Sequence, residues 1–135
     1  IISLKNKQTL KVDDFIFKCS IGKNGRTKNK TEGDKKTPRG IFSIGNLFFR
    51  SDRLNIPSTK LKTVVIKKLF RKDHKYDLLI PIKYNFKKTK INKGSCIFLH
   101  LTNDYKPTAG CIAIKKKDFL VLIKLIKPNS KIQIN

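Results

Sequence analysis

The chain has 135 residues, 39% of them hydrophobic, which is enough to fill one core and too many for a wholly disordered chain. Lys and Arg number 32 against 9 Asp and Glu, a formal net charge of +23. No apolar stretch approaches the roughly 20 residues of a membrane-spanning helix; the longest run, Phe119 to Ile123, breaks at Lys124.

Such a charge draws polyanions of any kind. Only five of the basic residues are Arg, whereas a dedicated nucleic-acid reader favours Arg forks and stacking aromatics. Lys is scattered along the chain beside abundant Asn and Ile, the pattern an AT-biased genome imposes. Compositional drift is the preferred reading over selected polyanion binding, and no specific nucleic-acid partner is expected. Position 1 is Ile and the chain contains no Met, as expected of a mature or trimmed form.

In chain order, Ile2-Ser3-Leu4 and Phe15 to Ile21 alternate as two strands. Gly22 to Lys36 is a long polar loop, the kind that tends to be functional in a compact domain. Thr37-Pro38-Arg39-Gly40 closes it as a turn, and Ile41 to Phe49 reads as strand with a break at Gly45-Asn46. Residues 51–75 are weakly patterned. Tyr76 to Tyr84 is strand-like, and Pro81 argues there for an edge or a bulge. Ser95 to Leu101 is apolar on both faces, as a buried central strand is. A ten-residue connection then leads to Cys111-Ile112-Ala113-Ile114, a short strand or turn. Asp118 reads as the cap of a helix over 118–127, with Phe119, Leu122, Ile123 and Ile126 as its core stripe. Pro128-Asn129 stops the helix, and Lys131 to Ile134 is a last strand. The expectation is a mainly β chain with one or two helices.

There are three cysteines, Cys19, Cys96 and Cys111, with no CxxC, and two histidines, His74 and His100. That set makes no closed zinc site, and no metal is expected. An odd cysteine count leaves at least one thiol unpaired in any monomeric disulfide scheme. Thr108-Ala109-Gly110 before Cys111 is a run of small residues, which lets backbone approach a bound carbonyl with N–H groups turned toward it. A thiolate is a strong nucleophile, and a neighbouring imidazole activates it. From the residues alone, Cys111 and His100 read more readily as core neighbours in two buried strands than as a catalytic dyad.

The segment Gly94-Ser95-Cys96-Ile97-Phe98-Leu99-His100, followed by Thr108-Ala109-Gly110-Cys111-Ile112-Ala113-Ile114, resembles the signature of YkuD-type L,D-transpeptidases. A second block agrees: Gly22, then Lys30 to Phe42 with its Thr37-Pro38-Arg39-Gly40-Ile41-Phe42 turn, is similar to the family's entry into its core strands. Tyr76-Asp77 and Tyr84-Asn85 stand where a small branch of the family carries such residues, so the resemblance runs from about Ile16 to Ile126. Three departures mark a divergent branch, one of them a spacing from His100 to Cys111 shorter than in the best-known members. Ala109 stands where the best-known members carry His, and Ala113 where they carry Arg or Asn.

The resemblance implies a β-sandwich of mixed sheets and a single catalytic domain over 1–135. It implies a cysteine-dependent acyltransferase that joins peptidoglycan stem peptides, 3–3 or 1–3, through a Cys111 thioester. His100 would be base and acid, and the N–H groups of Gly110 and Cys111 would receive the oxyanion. A carbonyl near Leu101 or Thr102, or the Asp104 side chain, would orient the imidazole. Thr108, Ala109, Tyr84 and Asn85 would contact substrate. No cofactor, no ATP and no metal would be needed, and the protein would work as a monomer in the periplasm or cell envelope. L,D-carboxypeptidase or endopeptidase action on the same stems is the alternative within enzymes. A non-catalytic basic module binding wall polymer or nucleic acid is the alternative outside them.

The remaining candidates take plainer readings. Cys19 is core, and Cys96, on the strand face of Phe98 and His100, packs the core more readily than it lines a site. His74, between Asp73 and Lys75, reads as a solvated surface residue. Glu32 and Asp34 fix the long loop rather than form a glycosidase-type acid pair.

Overall fold

A computed structural model describes residues 1–66, 74–85 and 97–135. Strands β1 (Ile2–Asn6), β2 (Thr9–Val12) and β3 (Phe15–Lys18) fold as an antiparallel meander. Two short strands, β4 (Arg26–Thr27) and β5 (Thr37–Pro38), pair in parallel and close the long polar loop. Next come β6 (Gly40–Ser43), β7 (Leu47–Arg50), β8 (Thr63–Ile66), β9 (Leu78–Pro81), β10 (Phe98–Leu101) and β11 (Ile112–Ile114). Helix α1 (Lys116–Leu125) then leads to β12 (Lys131–Ile134).

The larger strands form two five-stranded sheets of mixed direction, β3-β2-β1-β12-β6 and β11-β10-β9-β7-β8. This is the mainly β arrangement expected, with one helix among the described residues. The first sheet seats β1 parallel to β12, with Ile2 opposite Ile132 and Leu4 opposite Ile134. Its period-2 apolar residues join Leu78, Ile80, Leu99, Leu101, Ile112 and Ile114 of the second sheet in one buried core. The stripe Phe119, Leu122, Ile123 and Ile126 is buried in the same cluster, which anchors the helix between the sheets' last strands. Among the described residues, no helix is long and apolar enough to cross a membrane.

Several local expectations are corrected. Thr9–Val12 and Thr63–Ile66 are strands that the sequence did not announce, each only four residues long. Thr37–Gly40 is not a free turn: Thr37 and Pro38 pair with Arg26 and Thr27, and Gly40 already belongs to β6. Pro81 does not mark an edge, since β9 lies between β10 and β7. The bond toward β10 comes from Ile82, whose N–H donates to the Ile97 carbonyl, while the Pro81 carbonyl accepts from Gly45 N–H on the other side. The missing proline N–H therefore removes nothing from the β9–β10 ladder. Helix α1 starts two residues before Asp118, with Lys115 extended at its N-cap and no side-chain cap bond. Asp118 sits in the first turn, where its charge complements the helix dipole. Residues Gly94, Ser95 and Cys96 lie outside the described residues.

After β3 the chain crosses to the second sheet. Ser20 exchanges both backbone hydrogen bonds with Ala113 at 2.9 Å, covering the outer edge of β11. Cys19, just before this crossing, is core as expected, and burial pushes its thiol up to about 12. The unfolded thiol ionises near 9 and the folded one does not. From about pH 9 upward the unfolded state therefore holds fewer protons, and stability falls as pH rises toward about 12. Urea unfolding at pH 8 and pH 10 checks this: Cys19→Ala should lose less stability between the two pH values than the parent chain does.

Candidate active site

The parallel pairing of β10 with β11 decides which side chains meet. Leu99 lies beside Ile112 and Leu101 beside Ile114, and all four are buried in the core. The alternate positions, Phe98 and His100 on β10 and Ala113 on β11, share the opposite face, with His100 directly beside Ala113. Cys111 is two residues before Ala113 and projects to that same side. The face predicted to be a second apolar surface is thus the wall of a cleft.

That cleft has a volume of about 460 Å³ and is lined by His100, Cys111, Thr108, Ala109 and Ala113, together with Tyr76, His74, Asn103 and their neighbours. Cys111 is half-buried, and the Phe98 N–H donates to its Sγ at 3.3 Å. A donor there favours the anionic form of sulfur. His100 is buried, and its Nδ1 lies 2.9 Å from the Leu101 carbonyl oxygen. A carbonyl only accepts, so Nδ1 carries the proton and Nε2 is the basic nitrogen. Of the candidate orienting groups, it is therefore the Leu101 carbonyl that meets the ring. The Asp104 carboxylate is engaged by the Lys106 N–H and the Thr102 hydroxyl, and the Lys106 amide chiefly holds it below the usual carboxylate range. Tyr76 packs edge-on against the cleft face of β10, its ring 5.3 Å from that of His100 and 6.3 Å from that of Phe98.

The loop before the cysteine is clamped from behind. Thr108 donates its N–H to the Ile21 carbonyl and accepts from Lys23 N–H. Its hydroxyl donates to the Cys111 carbonyl at 2.6 Å and accepts from Gly110 N–H at 3.1 Å. The Gly110 N–H, expected to receive the oxyanion, is thus engaged by the Thr108 hydroxyl. Gly110 is required for its shape: its φ is +139°, and a Cβ there would sit 2.9 Å from the Lys36 carbonyl oxygen. The Gly110 carbonyl accepts from the Thr37 hydroxyl at 2.8 Å, and that hydroxyl accepts from Gly22 N–H.

Behind Thr37 stands a charged buttress. Lys30, buried, donates to Asp34 Oδ1 and to the Lys36 carbonyl, both at 2.8 Å. Asp34 also accepts from the N–H groups of Thr31 and Lys36. Partial burial opposes its ionisation, but Lys30 and the two amides outweigh it and hold the carboxyl below its ordinary range. Asp34 thereby fixes the loop, as read from the sequence; Glu32 is exposed.

Tyr84 and Asn85 are not among the residues lining the cleft. Tyr84 packs edge-on to Phe42 at 5.6 Å, where burial first and then the Asp34 charge push its hydroxyl up, and Asn85 takes a left-handed turn at φ 52°. His74, expected on the surface, lines the cleft instead, with Nδ1 3.3 Å from Asn103 Nδ2. A histidine flanked by two charges gave no periodic signal of this. The Phe98 amide, the Thr37 hydroxyl and the buried Lys30 were also missed as parts of the site, although Thr37 and Lys30 lie in the second sequence block.

A family model, YkuD, described as the L,D-transpeptidase catalytic domain, matches residues 1–134. No curated protein matches the chain. Among solved structures, Bd1075 of Bdellovibrio bacteriovorus superposes with a TM-score of 0.56 at 17% identity, covering 100% of this chain and 47% of that one. The helical cell shape determining protein Pgp2 from Campylobacter jejuni superposes with a TM-score of 0.59 at 19% identity, covering 98% and 45%. The chain thus spans about half the length of these two proteins, and the likeness is one of fold.

Thr37→Val tests the clamp. It orphans the buried Gly22 N–H and Gly110 carbonyl, at about 1–3 kcal/mol each. Urea unfolding should show a loss of that order, and Cys111 alkylation should slow as the loop loosens.

Proposed function

The chain belongs to the YkuD family of L,D-transpeptidase catalytic domains, and from that premise we propose that it transfers acyl groups between peptidoglycan stem peptides through a thioester on Cys111. The observation that carries the reading is the shared cleft: Cys111 and His100 lie on one face of two paired strands, the sulfur beside a backbone donor and the imidazole oriented by the Leu101 carbonyl.

The Cys111 thiolate attacks the carbonyl of an L-centre joined to a D-residue. His100 gives its Nε2 proton to the leaving amine as the C–N bond breaks, which leaves the thioester and a neutral imidazole. The amine of a second stem then attacks the thioester, His100 takes its proton, and the Cys111 thiolate departs. The Cys111 N–H is the nearer candidate for the oxyanion, since Thr108 engages the Gly110 N–H. Thr108 and Ala109 shape the wall beside the sulfur, and Ala109 and Ala113, small where the best-known members carry larger polar groups, leave that wall open to a bulky stem. In this reading residues 1–135 are one catalytic domain, and it acts in the cell envelope. The fold likeness to a helical cell shape determining protein extends the reading to wall remodelling that sets shape.

Incubation with purified stem tetrapeptides, followed by mass spectrometry, tests the proposal. New cross-linked dimers are expected from the parent chain and none from Cys111→Ala, while His100→Ala should lower the rate by about 10²–10⁴-fold. Shortened stems without dimers would make the acceptor water and the protein an L,D-carboxypeptidase. Stems left intact by the parent chain would favour a non-catalytic wall-binding module.

A further inference from the structure

Beyond residues 104–107, which border the catalytic cleft, lies a second cavity of about 390 Å³. Asp104 and Pro107 line both cavities, so only this short segment separates them. The second cavity is walled by Lys7, Gln8, Lys18, Ser20, Lys23 and Tyr105. Its three lysines are exposed at the rim. Lys18 Nζ stands 4.5 Å from the Tyr105 ring centroid and Lys115 Nζ 5.5 Å from it, so two ammonium groups gather on one aromatic ring. The one acid in the lining, Asp104, accepts from the Lys106 N–H and lies 3.8 Å from Lys106 Nζ, which offsets its charge. On the inner wall Ser20 is buried, and its Oγ has no hydrogen-bond partner. A buried hydroxyl without a partner is costly, and a ligand oxygen that reached it would recover the bond.

We propose that this groove binds a carboxylate-bearing peptide, a second wall stem held beside the cleft in which Cys111 lies. The proposal rests on the function proposed above, because it takes its ligand from that substrate class. Two features favour a peptide over a small inorganic anion. Tyr105 and Gln8 add an aromatic face and an amide, which a peptide uses and a lone phosphate does not. The shared Asp104–Pro107 wall lets one extended ligand reach from the groove toward the sulfur.

Titration of the ¹⁵N-labelled Cys111→Ala chain, which does not turn the peptide over, tests this by NMR. The stem tetrapeptide should shift the amides of Ser20, Ile21, Gly22 and Lys23 saturably. Adding Lys18→Ser and Lys23→Ser should weaken that binding about five- to tenfold, and added salt should weaken it further. Both lysines are exposed, so the variant should fold as its parent does. Shifts confined to the catalytic cleft would overturn the proposal. Inorganic phosphate producing the same shifts at the same concentration would overturn it too, reducing the groove to a general anion site. Turnover by the chain with Cys111 intact reports separately on the function proposed above, so failure of one is distinguishable from failure of the other.

Discussion

The site depends on one pairing, the parallel register that sets His100 beside Ala113 and Leu99 beside Ile112. Because side chains alternate along a strand, this register sends leucine and isoleucine into the core and sends the imidazole and the sulfur to the other side. A slip of one residue would exchange the two sets, burying the sulfur and the imidazole and exposing the core residues. The hydrophobic demand of the core and the placement of the polar pair are therefore a single constraint. Burial of Leu99, Leu101, Ile112 and Ile114 holds the chemistry in place from behind.

The second requirement is a fixed loop before the cysteine, and the chain meets it with segments far apart in sequence. Gly22, Thr37 and Gly110 are joined through one hydroxyl, and Lys30, Asp34 and Lys36 stiffen the backbone against which Gly110 packs. Lys30 is buried yet satisfied by a carboxylate and a carbonyl, the arrangement in which a buried cation is tolerated. The long polar loop is thus the rear support of the site, through Lys30, Asp34 and the Lys36 carbonyl.

Where the sequence was legible, a strong period or a special residue made it so. The helix stripe from Phe119 to Ile126, the last strand and the central strand ending near His100 all followed from apolar spacing. Cys111 and His100 as a pair came from the family resemblance, since the residues alone favoured core packing. What stayed hidden was contact between distant backbones. Nothing in Thr37 announces a bond to Gly110, 73 residues on. Nothing in Phe98 marks its amide as a donor to sulfur, because every residue but proline carries the same group. His74 was read as surface from its charged neighbours, and only the fold brings it beside Asn103. Short strands such as Thr9–Val12 hold too few residues for alternation to stand out.

The central claim, that the sulfur of Cys111 and the imidazole of His100 act as one nucleophilic unit in an open cleft, is tested most directly by intact-mass spectrometry after incubation with a carbapenem. A single covalent adduct, mapped to Cys111 and formed at least tenfold more slowly in His100→Ala, is the result this account predicts. An adduct carried only by Cys19 or Cys96, or a rate indifferent to His100, would contradict it.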